Sequence, residues 1–127
     1  MASRPCIVSV EDDFGVFQLI QKILEPLPID LHHAKNGHEA IALVNKLSPD
    51  LIMLDISLPD IHGWDVLKQV KAMQNGHHPS VMVLTAQTAP AHRVIGHLQE
   101  VNRYMSKPFL PHELRDCVTD ILGIPSP

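Results

Sequence analysis

Apolar residues follow two alternating rhythms along this chain. Leu51-Ile52-Met53-Leu54 and Val81 to Leu84 are unbroken runs without polar alternation, as a strand covered on both faces requires, and Cys6 to Val10 is a third short apolar run. Between the runs the spacing becomes helical. Phe14, Phe17, Ile20, Ile23 and Leu24 share one face before Pro26 and Pro28. Ala40, Ile41, Val44 and Leu47 share another before Ser48-Pro49, and Trp64, Leu67, Val70 and Met73 a third before Asn75-Gly76. Leu114, Val118, Ile121 and Leu122 predict a last helix. Ile29 to Ala34 reads as a weaker strand ahead of the turn residues Asn36-Gly37, and Tyr104-Met105 as a short final one. Residues 89–98 read as a helix with Pro90 near its start, Gly96 within it and a thin apolar stripe. Strand and helix alternate five times, which predicts an α/β fold: a doubly wound, five-stranded parallel sheet with helices on both faces.

Composition narrows the classes of function. The 127 residues suit one domain, expected to span 5–122, with 123–127 a C-terminal tail or the start of a linker. A net charge of −4 gives no basic footprint for neutralising nucleic-acid phosphates, so direct nucleic-acid binding by this segment is not expected. No apolar run reaches the roughly 18 residues that span a bilayer, and Met1 to Pro5 lack the layout of a signal peptide; the expected setting is cytoplasmic. Cys6 and Cys117 read as small buried hydrophobes rather than as a disulfide. The nine histidines include the adjacent pairs His32-His33 and His77-His78, whose neighbours on a strand face opposite ways, so they read as solvated or incidental rather than metal-binding.

In a doubly wound sheet the ligand site lies beyond the carboxyl ends of the strands, where the strand order reverses. The residues expected there are Glu11 and Asp12, with Asp13 an open third, after the first strand; Asp55 after the third; Thr85 after the fourth; and Lys107 after the fifth. Carboxylates without a thiolate or an obligatory imidazole suit a hard cation such as Mg²⁺. With Asp55 as nucleophile, Lys107 as the matching cation, and the Thr85 hydroxyl and Ala86 N–H as donors, the set has the parts of a phosphoryl-transfer site. Taken singly, Asp12 and Asp13 also suit a helix N-terminus, Thr85 a helix cap, Lys107 a solvated surface and Tyr104 simple ring packing. Asp55 is harder to explain in such terms, because a carboxylate directly after a doubly covered strand is costly without a partner.

Five runs, Val10-Glu11-Asp12-Asp13, Leu51 to Asp55, Leu58-Pro59-Asp60 with Gly63, Leu84-Thr85-Ala86 and Lys107-Pro108-Phe109, occur in the order and spacing of response-regulator receiver domains. The chain resembles that family from about Cys6 to Leu122. The resemblance implies a flavodoxin-like receiver fold with strand order 2-1-3-4-5, the order for which a chemotaxis receiver is a standard example. It implies that Asp55 accepts a phosphoryl group from a sensor histidine kinase or a histidine phosphotransfer protein. Mg²⁺ would be held by Asp12, Asp55 and the Ser57 backbone carbonyl, with Glu11 acting through water. Lys107 would pair with the phosphoryl oxygens, and the Lys107-Pro108 bond would be cis. Thr85 and Tyr104 would move together as a switch read on the face made by the 89–98 helix, the last strand and the last helix. Such a domain is a phosphoacceptor rather than an enzyme, catalysing only its own phosphorylation and dephosphorylation.

The chain departs from the family pattern at Glu100-Val101, where receivers place a small Gly-Ala pair, so neither homodimer formation nor a particular partner carries over. Ser57 and Gln87, each two residues beyond a site residue, are polar and placed to position a water for dephosphorylation. Ser57 also stands where a haloacid-dehalogenase-like phosphatase needs its second acid, and Glu11-Asp12-Asp13 would repel the phosphate of a flavin. The remaining rival is a receiver-shaped interaction module that works without phosphorylation.

Overall fold

In the computed structural model, which describes residues 4–56, 60–73, 78–85 and 101–125, each unbroken apolar run is a strand of one parallel sheet. The strands are β1 (Cys6–Val10), β2 (Asp30–Ala34), β3 (Leu51–Asp55), β4 (Ser80–Thr85) and β5 (Arg103–Ser106). Their order is β2-β1-β3-β4-β5, the flavodoxin-like arrangement expected. The described helices are α1 (Phe14–Leu24), α2 (Gly37–Leu47), α3 (Gly63–Ala72) and α4 (Pro111–Leu122). The helix expected over 89–98 lies outside the described residues.

Alternation along the strands sends side chains to two separate cores. Val8, Val10, Ile52, Leu54, Val81 and Val83 pack under Ala40, Val44, Trp64, Leu67 and Val70 of α2 and α3. Ile7, Leu51, Met53, Met82 and Leu84 pack under Ile20, Ile23, Leu24, Leu114 and Val118 of α1 and α4. Leu51 to Leu54 are therefore buried whichever way they point, and each such side chain contributes about 1.5–3 kcal/mol relative to exposure. This explains why the run contains no polar residue.

Local chemistry places the helix ends. Asp13 caps α1 by accepting the Val16 N–H at 3.2 Å, and Asn36 caps α2 by accepting the Glu39 N–H at 2.9 Å. Asn36-Gly37 thus begins a helix as well as ending a turn. Helix α3 is capped by His62, whose Nδ1 accepts the Trp64 N–H at 3.3 Å. Pro111 opens α4, and Gly123 ends it in the left-handed region at φ 67°. Both cysteines are free and half-buried, more exposed than their apolar settings implied.

Candidate functional site

Register decides what the sheet presents at its carboxyl edge. Val10 pairs with Leu54 and Asp55 with Leu84, so Glu11, which follows β1, and Asp55, the last residue of β3, reach the edge at neighbouring points. Thr85 ends β4 and pairs with Ser106, placing Lys107 one residue further on. The Lys107 N–H donates to the Thr85 carbonyl at 2.9 Å, and the Lys107-Pro108 peptide is cis, as expected.

The edge gathers three carboxylates. Oxygens of Glu11, Asp12 and Asp55 lie within 4.8 Å of one another, the first and last buried and Asp12 exposed. Among the described residues no other group of three or more His, Cys, Asp or Glu side chains has this convergence. Lys107 reaches this group, its Nζ 2.7 Å from Glu11 Oε1 and 3.3 Å from Asp55 Oδ2. The ammonium thus pairs more closely with Glu11 than with Asp55, and it is neither solvated nor isolated.

Burial and charge act together on these groups. Burial pushes the Glu11 carboxyl up to about 7 against the Lys107 hydrogen bond and charge, and the Asp55 carboxylate adds to the rise. Burial also opposes the charge on Lys107, but the Glu11 hydrogen bond and carboxylate, with Asp55, outweigh it and hold its pKa above the ordinary value. Among the described residues, Lys107 is the ammonium paired with this group of three carboxyls, which leaves a set of oxygen donors rich in negative charge. That donor set fits a hard divalent cation of the Mg²⁺ type.

The remaining expected residues divide into two groups. Thr85 is buried at the end of β4, beside the edge. Tyr104 is half-buried on β5, with its ring centroid 6.1 Å from that of Trp64 and the planes at 47°, so it faces the α2–α3 core in this structure. Ser57, Ala86 and Gln87 lie outside the described residues.

Sequence reasoning missed two contacts that hold the loops of this edge. The Asp60 carboxylate accepts the N–H groups of Gly37 at 2.8 Å and His38 at 3.0 Å, and lies 2.5 Å from His38 Nδ1. Partial withdrawal from water works against the Asp60 charge, yet these donors hold its pKa well below the usual carboxylate range. His33 stacks on Phe17 and reaches the Glu11 main-chain carbonyl at 2.7 Å. His38 and His62 are exposed, in line with the expectation of solvated histidines, though each also holds a helix start, whereas half-buried His33 is neither solvated nor incidental. An Asp-Ile-His-Gly run ahead of a helix is the only trace of this in the sequence, and nothing local to it names α2 as the partner.

An open groove of about 710 Å³ lies between β5 and α4, lined by Arg103, Met105, Cys117 and Asp120 among others. It contains none of the clustered carboxylates, so the converging charges mark the site better than this groove does.

Comparison with known proteins agrees with this geometry. Residues 7–119 match the family model of the response regulator receiver domain, and the chain belongs to that family, the receiver domains of two-component response regulators. It is 37% identical over 115 residues to the luminescence regulatory protein LuxO of Vibrio campbellii, a match covering 91% of this chain and 23% of that protein. It is 35% identical over 116 residues to the alkaline phosphatase synthesis transcriptional regulatory protein PhoP of Bacillus subtilis, covering 91% and 48% respectively. The chain spans half or less of the length of these curated relatives. Among solved structures, the receiver domain of the sensor histidine kinase PA1611 from Pseudomonas aeruginosa PAO1 superposes with a TM-score of 0.84 at 25% identity, over 94% of this chain and 98% of that one. That structure has a magnesium ion coordinated in its active site cleft. No helix among the described residues is long and apolar enough to cross a membrane.

Proposed function

We propose that this receiver domain accepts a phosphoryl group on Asp55 from a phosphohistidine, carried by a sensor histidine kinase or a histidine phosphotransfer protein, in a Mg²⁺-dependent reaction. The observation that carries the reading is the convergence of Glu11, Asp12 and Asp55 within 4.8 Å, with Lys107 Nζ 3.3 Å from Asp55. An Asp55 carboxylate oxygen attacks phosphorus as the P–N bond breaks. The imidazole leaves as the neutral ring because its other nitrogen carries the proton, and the product is an acyl phosphate.

Asp12, Asp55 and the Ser57 carbonyl would hold Mg²⁺, with Glu11 acting on it through water. The bound cation would supply positive charge to the transferring phosphoryl oxygens. Lys107 transfers part of its pairing from Glu11 to those oxygens as charge develops, and the Thr85 hydroxyl and Ala86 N–H donate to them. Thr85 then closes on the phosphoryl group, Tyr104 turns from its present packing near Trp64, and the altered surface is read by a partner. Ser57 and Gln87 tune the return to the resting state by positioning water. Unchanged decay of the phosphorylated form in both Ser57→Ala and Gln87→Ala would exclude that role.

Intact mass after incubation with acetyl phosphate tests the reading. The expected result is one added phosphoryl group in the native chain, absent when Mg²⁺ is chelated and absent in Asp55→Asn. No gain, together with no binding of a beryllofluoride analogue, would instead favour an interaction module that works without phosphorylation.

A further inference from the structure

His33 lies beside the site and has no part in the transfer described above. Its ring rests flat on buried Phe17, with centroids 3.9 Å apart and planes 9° from parallel, and Phe17 stacks in turn against exposed Phe14 at 6.4 Å. The ring's Nε2 stands 2.7 Å from the main-chain oxygen of Glu11. A carbonyl can only accept, so Nε2 carries the proton and donates. Strand β2 ends at Ala34, opposite Val10, and its last ladder contact is the Glu11 N–H donating to the Ala34 carbonyl at 3.0 Å. Beyond that point β2 offers no backbone N–H in register for the Glu11 carbonyl. A carbonyl at a buried strand end needs a donor, and the imidazole supplies what one more strand residue would have given.

We propose that His33 is a positioning residue for the metal site: its imidazole N–H fixes the Glu11–Asp12 peptide, and so the directions in which the Glu11 and Asp12 carboxylates face Asp55. The inference rests on the magnesium reading above. Both main-chain polar groups of Glu11 are tied to β2, the N–H by backbone and the C=O by the ring, while its carboxylate is tied to Lys107. The next residue, Asp12, is exposed, and among these contacts the peptide that joins it to Glu11 is what sets its direction. Phe17 holds the imidazole in the plane that reaches the carbonyl.

The test uses His33→Phe, which keeps an aromatic ring against Phe17 and removes the donor, and His33→Gln, which keeps an N–H donor and removes the ring. Mg²⁺ binding is measured by titration calorimetry at about pH 8, where an ordinary imidazole is neutral. His33→Phe should stay folded but melt somewhat below the wild type, because the Glu11 carbonyl loses its donor, and should bind Mg²⁺ about tenfold more weakly, the loss usual when an outer partner of a ligand is removed; His33→Gln should recover part of that affinity. With acetyl phosphate, the His33→Phe rate at saturating Mg²⁺ should match the wild type while the Mg²⁺ concentration for half-maximal rate rises by the same factor. A folded His33→Phe protein with unchanged Mg²⁺ affinity overturns the role of His33. A wild-type chain that binds no Mg²⁺ overturns the metal reading itself. Should His33→Phe not fold, His33→Gln against His33→Leu makes the same comparison, and equal affinities in that pair overturn the proposal.

Discussion

Lys107 and Glu11, 96 residues apart in the chain, are joined at 2.7 Å by an ion pair whose carboxylate is almost wholly buried. The same ammonium lies 3.3 Å from Asp55, so it serves two buried carboxylates, with the exposed Asp12 carboxylate beside them. Among the described residues, the site therefore holds more carboxyl groups than cations.

Removing one of those negative charges should stabilise the metal-free protein. Asp55→Asn is expected to raise unfolding stability by about 1–2 kcal/mol in the presence of a chelator, because the remaining carboxylates then share Lys107 with less mutual repulsion. Denaturant titrations with and without Mg²⁺ check this. The gain should shrink when the cation is added, and a loss of stability in chelator would contradict the charge balance described for the site.

Two glycines, at the starts of α2 and α3, permit close packing around Ile56 and Ile61. A Cβ on Gly63 would stand 2.4 Å from the Ile56 Cα, a backbone atom that cannot give way, and the Gly63 N–H donates to the Ile56 carbonyl at 3.0 Å. A Cβ on Gly37 would meet Val66 Cγ2 at 2.9 Å and Ile61 Cβ at 3.0 Å, where a side chain can shift. Gly63→Ala is expected to cost about 3 kcal/mol or more and Gly37→Ala about 1–2 kcal/mol. Equal costs in denaturant titrations would mean that the start of α3 moves away from Ile56 more readily than the close approach implies.

Asp60 gives the protein an acid-sensitive fastening. Its folded pKa is depressed by the Gly37 and His38 donors, so the stability it contributes is present above the ordinary carboxylate value of about 3.9 and is lost as pH falls through the lower folded value. Asp60→Ala should therefore lower the melting temperature at about pH 7 and lower it by less at about pH 3. A difference that is the same at both values would show that the fastening does not depend on the carboxylate charge.

The extent to which the chain announced this structure depends on whether a contact is local. The strands at Leu51 and Val81 follow from runs that only a doubly covered strand tolerates, and α1 ends where Pro26 and Pro28 require it to end. The positions of Glu11, Asp55, Thr85 and Lys107 at one edge follow from strand ends and the parallel topology. Three features were not legible. Lys107 pairs more closely with Glu11 than with Asp55, because the choice between two carboxylates turns on fractions of an ångström that periodicity does not encode. The carboxylate of Asp60 crosses to α2, and the ring of His33 substitutes for a missing ladder bond to Glu11. Both are side-chain to backbone contacts between segments 22 or 23 residues apart, and a histidine or aspartate in a loop carries no mark of which distant amide or carbonyl it will meet.

In the proposed reaction Asp55 itself carries the phosphoryl group. After phosphorylation with acetyl phosphate and Mg²⁺, borohydride reduction converts an aspartyl phosphate to homoserine, and peptide mass mapping locates the converted residue. Homoserine at position 55, formed only when Mg²⁺ is present, is the result expected. Conversion at Asp12 or Asp13, or none at any aspartate in a chain that has gained phosphoryl mass, would contradict the assignment of Asp55 as the acceptor.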